Sequence, residues 1–116
     1  MAAYAEVEVI GLRERQRLLA VIDTGYDGFL CLPVEIAVRL GLELAGSQWV
    51  QYADGRIERE LVFRGRVAFL DEEREVDIHI TEAPENLVGL ALLQGYRLIL
   101  DGDTHQVRFK RKKRRR

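Results

Sequence analysis

Leu18-Leu19-Ala20-Val21-Ile22-Asp23-Thr24-Gly25-Tyr26-Asp27-Gly28-Phe29-Leu30-Cys31-Leu32 is the stretch on which the fold turns. One apolar run stops abruptly at Asp23-Thr24-Gly25, and a second begins three residues later. A carboxylate at the edge of two buried strands is costly to desolvate, so its place there points to use rather than to solvation. Gly25 and Gly28 permit a sharp turn or a close backbone approach and leave room above the acid. Thr24 adds a hydroxyl able to bond a neighbouring backbone or a second copy of the loop.

Outward from this stretch the pattern is of short strands. Tyr4 to Ile10 alternates acidic and apolar residues, the signature of a half-buried strand. Arg17 to Ile22 leads into Asp23 and Phe29 to Leu32 leads away from it. Pro33 then opens a predicted two-turn helix with Val34, Ala37, Val38 and Leu40 apolar and Gly41 as its stop. Gln48 to Ala53 and Arg56 to Phe63 flank Asp54-Gly55, a hairpin signal for which type I′ geometry is expected. Gly65 to Leu70 and Glu75 to Thr81 form a second hairpin pattern. A loop with Pro84, an apolar Leu87-Val88-Gly89-Leu90 segment, a short helix within Ala91 to Tyr96, and strands at Arg97 to Leu100 and Thr104 to Phe109 complete the series. Many short strands, frequent turns and little helix predict an all-β barrel or sandwich with one or two short helices.

The chain has 116 residues, enough for one domain with a modest core. No apolar stretch reaches the roughly 18 to 20 residues of a membrane span. The first residues show no basic segment followed by an apolar one, so no secretory leader is expected. Cys31 is the single cysteine, which excludes an internal disulfide and fits a reducing compartment, so a cytoplasmic location is expected. The net charge of −1 hides an asymmetry: Lys110 to Arg116 are all basic, whereas residues 1–109 hold 11 basic against 19 acidic residues, about −8. Residues 110–116 are expected to be a disordered tail, capable of a weak polyanion contact, on a domain of residues 1–109.

Other chemistries find little support. His79 and His105 stand apart from any Cys or carboxylate at metal-ligand spacing, so no metal and no cofactor are expected. Ser47 is the only serine and lies in no nucleophile elbow. Cys31 sits in an apolar strand, a setting that keeps a thiol inert. Gly89 and Gly95 make no phosphate loop.

The order of elements resembles the retropepsin-like aspartic proteases, in particular their single-domain microbial branch. The matching pieces are Val21-Ile22-Asp23-Thr24-Gly25, Leu32-Pro33, Tyr52-Ala53-Asp54-Gly55, Leu87-Val88-Gly89 with Leu92-Leu93, and Leu98 to Asp101. The resemblance implies a closed six-stranded barrel that acts as a homodimer, hydrolysing peptide or protein substrates without a cofactor. Asp23 matches the catalytic aspartate, Thr24 the threonine that ties two such loops together, and Gly25 the glycine past which substrate runs. Asp54-Gly55 matches the tip of the flap over the substrate. Tyr26, Asp27, Trp49, Tyr52, Asp54 and Gly55 are expected to line or cover the cleft, and Gly89 to pack beneath the loop.

Two closely placed carboxyls cannot both ionise, so they share one proton, and a chain with a single loop can build that pair only about a two-fold axis. Three departures are visible. Tyr26 replaces the usual small residue, Leu90 stands where retroviral enzymes have a bracing arginine, and the basic end differs from the apolar strand that locks retroviral dimers. A second function compatible with the resemblance is a catalytically silent dimer serving as a peptide-binding or scaffold module.

Overall fold

The computed structural model describes residues 3–112. In chain order the elements are β1 (Tyr4–Ile10), β2 (Arg15–Ile22), β3 (Leu30–Leu32), α1 (Val34–Leu40), β4 (Glu43–Gln51), β5 (Ile57–Phe69), β6 (Glu72–Ile80), β7 (Asn86–Val88), α2 (Leu90–Leu93), β8 (Tyr96–Leu100) and β9 (Val107–Arg111). The main sheet runs β1-β2-β7-β3-β6-β5-β4, and β1 also pairs with β5. That extra pairing, Glu8 to Ile10 against Ala68 to Arg66, closes β1, β2, β7, β3, β6 and β5 into a six-stranded barrel. Closure leaves no open edge among those six strands. Strand β4 lies outside the ring, hydrogen-bonded to β5 alone, and β8 and β9 form a separate two-stranded sheet.

Alternation selects the inward faces. In β1, Ala5, Val7 and Val9 are buried while Glu6 and Glu8 face out. Leu30 and Leu32 of β3, Val67 of β5 and Ile78 of β6 meet them in the core. Helix α1 plugs the barrel with Ala37 and Leu40, both fully buried. Pro33 precedes it as the N-cap, and Gly41 at φ +74 ends it, where the left-handed region favours glycine. At the other end, Phe69 makes edge-on contacts with Tyr96 and Phe109, joining the β8–β9 sheet to the barrel. No helix among the described residues is long and apolar enough to cross a membrane.

Several expectations change in detail. The two strands expected on either side of Arg64 are one, β5, with 13 residues. Gly65 is no break. A Cβ there would lie 2.7 Å from Leu42 Cδ2, so the glycine admits the close approach of Leu42 to the strand. The boundary expected after Phe109 falls inside β9, because Lys110 pairs with Arg97 and Arg111 with Tyr96. Residues 113–116 of the expected tail lie outside the described residues.

Arg111 shows why the strand runs on. Its guanidinium lies 2.6 Å from Asp71 Oδ1 and 2.8 Å from Glu72 Oε1 and donates to the Tyr96 hydroxyl at 3.0 Å. The Arg111 and Tyr96 hydrogen bonds hold the Asp71 carboxyl below its usual range. A depressed carboxyl pKa stabilises the fold above the unfolded value, about 3.9, and that stabilisation disappears as pH falls through the lower folded value. Thermal melts from pH 6 to 2 are therefore expected to show Asp71→Asn below the parent at pH 6, with the gap closing in acid. A gap independent of pH would assign Asp71 no electrostatic part.

Candidate active site

Strand β2 carries the chain to the Asp23 loop, and β7 holds that loop from the side. Ala20, Val21 and Ile22 run parallel to Asn86, Leu87 and Val88, and the Asp23 N–H donates to the Val88 carbonyl at 2.9 Å. The loop returns on itself through Tyr26 N–H to the Asp23 carbonyl at 3.1 Å. The Gly25 N–H donates to Asp23 Oδ1 at 2.9 Å, which orients the carboxylate by the loop's own backbone. Asp23 is half-buried, with Thr24 and Gly25 exposed beside it. Asp23 thus has one oxygen tied to the loop and a face left open.

Beneath this loop lies a second backbone layer. Gly89 N–H donates to Phe29, Leu90 N–H to Tyr26 and Ala91 N–H to Gly28, at 2.8 to 3.1 Å. A Cβ on Gly89 would run into the Gly28 and Tyr26 carbonyl oxygens and the Tyr26 ring. The expected role of Gly89 under the loop therefore has a steric cause. Nearby, Arg74 of β6 donates to the Leu92 carbonyl at 2.9 Å and stands 5.8 Å from the Phe29 ring centroid. An arginine does hold this region, from a strand distant in sequence rather than from the position after Gly89.

Tyr26 departs most from its expected place. Its ring packs on Gly28 and Gly89, and a Cβ on Gly28 would collide with the phenol. The hydroxyl lies 2.6 Å from His79 Nδ1 and 3.3 Å from the Leu30 carbonyl, with the His79 ring edge-on at 5.9 Å. Burial pushes the phenol far above its ordinary range, so it stays protonated. Where Nδ1 carries no hydrogen the hydroxyl donates to it; where Nδ1 carries one the hydroxyl accepts from it and donates to the Leu30 carbonyl instead. The ring is thus a strut that fastens the loop to β3 and β6. Neither the histidine nor this pairing was legible in the sequence, since 53 residues separate the two. Cys31 is buried next to this layer, and desolvation raises its thiol, in keeping with an inert role.

Asp27 and Tyr52 line two separate depressions. Asp27 is exposed and shares with Thr24 a concavity of about 590 Å³ that extends over Leu90, Leu93, Tyr96 and Lys112. Tyr52 lines a groove of about 400 Å³ between the β4–β5 hairpin and residues 80–83, together with Glu58, Glu60, Leu61 and Thr81. The Tyr52 hydroxyl donates to Glu60, and the Glu60 charge adds to the rise of the Tyr26 and Cys31 pKa values. Glu60, unremarked in the sequence, lines the groove beside Tyr52. Trp49 pairs across the hairpin with Arg59, whose guanidinium lies 5.7 Å from the indole centroid and which also borders the groove. Trp49 is 70% exposed.

The hairpin tip differs from type I′. Gly55 N–H donates to the Tyr52 carbonyl at 2.9 Å, and of the turn residues only Gly55 has positive φ, +88. This is a turn centred on Ala53-Asp54 followed by glycine in the left-handed region, a three-residue loop. Asp54 accepts from the Arg56 N–H at 3.0 Å and from its guanidinium at 2.8 Å, so it caps the turn. Nothing surrounds the Gly55 Cα within 4 Å of an added Cβ, which leaves backbone strain as the only penalty for a side chain. Gly55→Val is expected to cost about 1 kcal/mol of stability. A turnover assay beside a thermal melt should show activity suffering more than the fold; equal loss would make the tip a structural turn only.

With this geometry in view, the chain is similar to the solution structure of a simian foamy virus (mac) protease. The TM-score is 0.59 over 78% of this chain and 90% of that one, at 14% sequence identity. The shared feature is the fold, a retropepsin-like barrel. No protein-family model matches the chain, and no curated protein sequence matches it.

Proposed function

We propose that the chain is an aspartic endopeptidase that works as a homodimer, with each copy contributing Asp23 to one water-activating pair. The observation that carries this reading is the Asp23 carboxylate itself. It is half-buried, tied by one oxygen to the Gly25 N–H, and held at the end of β2 in a fold shared with a viral protease. In the proposed reaction the ionised carboxyl takes a proton from water while the protonated one donates to the scissile carbonyl oxygen. The water oxygen bonds to the carbonyl carbon, and collapse of the tetrahedral intermediate expels the amine, which takes up a proton. No covalent link to the protein forms.

Thr24 and Gly25, exposed at the loop tip, support the pair, Thr24 by bonding the opposing loop. Tyr26 works from beneath as a strut. The β4–β5 hairpin closes over the substrate, with Tyr52 and Glu60 offering polar contacts in the groove and Asp54 and Gly55 shaping the tip. Asp27 opens on the same side as Thr24, where a partner loop or the substrate backbone would come.

Because one loop supplies half of the pair, specific activity is expected to fall as the enzyme is diluted below its dimer dissociation constant. Turnover should be bell-shaped in pH with an optimum on the acid side of neutral, because only the singly protonated pair is competent. The experiment is cleavage of a fluorogenic peptide mixture across dilution, with size measured in parallel and a statine peptide as inhibitor. Activity proportional to concentration down to proven monomer would overturn the shared site. A stable dimer that neither cleaves nor binds statine would be a scaffold instead.

A further inference from the structure

We propose that the outward face of the β8–β9 hairpin is a platform for the phosphate backbone of duplex nucleic acid. The register pairs Arg97 with Lys110 and Ile99 with Arg108, so strand alternation puts Arg97, Arg108 and Lys110 on one face, all exposed. The other face carries Tyr96, Leu98 and Phe109 against the core, and Arg111 ties β9 to Asp71 and Glu72. The platform is therefore held to the barrel and not a loose arm. Arg97, Lys110, Arg111 and Lys112 border a concavity of about 350 Å³.

These charges are uncompensated in a way that most barrel charges are not. Arg15, Arg17, Arg56, Arg64, Arg66 and Arg74 each lie within 4 Å of a carboxylate. Among the described residues Arg97, Arg108, Lys110 and Lys112 form no ion pair. Asp101, in the turn of the same hairpin, spends one carboxylate oxygen on the Asp103 and Thr104 N–H groups, at 2.9 and 3.0 Å. Residues 97–116 hold nine basic against two acidic side chains, whereas residues 1–96 hold nine against 17. So lopsided a field draws a polyanion to one end of the molecule and turns the acidic barrel away from it.

Spacing and composition select the partner. Alternate residues of a strand are about 6.8 Å apart, close to two phosphate rises of about 3.4 Å along one strand of DNA. The outward face has no aromatic ring on which a base would stack, which disfavours single strands. Its only apolar residue is Ile99, too little to insert into a bilayer. Lys113 to Arg116 continue the basic sequence beyond Lys112.

The test is fluorescence anisotropy of the full chain on a labelled duplex of about 20 base pairs as salt is varied. Full use of Arg97, Arg108, Lys110, Lys112 and Lys113 to Arg116 sets a limiting slope of about −7 in log K against log salt, at roughly 0.9 per phosphate. R97E/R108E, with the terminal residues intact, is expected to weaken binding at least tenfold near 0.1 M salt and to flatten the slope by about 2. R97Q/R108Q should give a smaller loss in the same direction, and thermal melts of both variants establish folding. Unchanged duplex binding in folded R97E/R108E would overturn the platform and leave the terminus as the whole site. Absence of duplex binding by the parent, or preference for vesicles containing phosphatidylserine, would overturn it as well.

Discussion

Replacing Asp23 by Asn is expected to reduce peptide hydrolysis by about 10³-fold or more while the protein stays folded. Asparagine keeps an Oδ1 acceptor for the Gly25 N–H, which donates at 2.9 Å, so the loop loses no hydrogen bond. It cannot ionise to take the water proton, and positioned acid–base chemistry contributes roughly 10²- to 10⁴-fold. An exposed or half-buried substitution that preserves its contacts shifts stability by about 0.5 kcal/mol, or a few degrees in Tm. The check is the rate on a fluorogenic peptide together with a melt and a sizing run. Parental turnover in a folded Asn variant would remove Asp23 from the chemistry, whatever the fold.

Gly89→Ala is expected to have the second largest effect, and a different signature. The added methyl meets the Gly28 carbonyl oxygen and the Tyr26 ring and carbonyl, all in the layer directly under the catalytic candidate. Two of these obstacles are backbone atoms, so the loop itself must move. Overpacking of this kind costs about 3 kcal/mol. A displacement near 1 Å costs about 10²-fold in rate where reacting groups must align. Stability and turnover should therefore fall together, and the 2.6 Å contact between Tyr26 and His79 should be disturbed with them. The Tyr26 ring and His79 imidazole give NMR signals that would report this directly. A Gly89→Ala protein with parental melting and unmoved Tyr26 resonances would show that the loop rests on something other than this packing.

The local features were legible because their causes are local. The alternation of β1 is set by its own residues, and its bounds, Tyr4–Ile10, are those the sequence predicts. The α1 helix needs only its proline entry, its apolar face and the glycine at its end. The Asp23 loop announces itself through a charge set between two apolar runs. Where a feature depends on a distant partner, sequence reading faltered. Arg64 read as a gap between two strands, whereas β5 runs through it and Gly65 admits Leu42 from elsewhere in the chain. Lys110 and Arg111 read as tail because their reason for order, Arg97, Tyr96 and Asp71, lies elsewhere in the chain.

By itself, then, the sequence determined the strand-rich class, the position of the carboxylate and the division of charge, since patterning and composition belong to the chain before it folds. Only the tertiary structure decided that β1 meets β5 to close the barrel and that Tyr26 lies under its loop on His79. It also decided that an arginine from β6 reaches the α2 carbonyl. These are pairings between segments far apart in sequence. Each depends on which backbones pack close enough to exclude water, a property of the assembled core that no single stretch encodes.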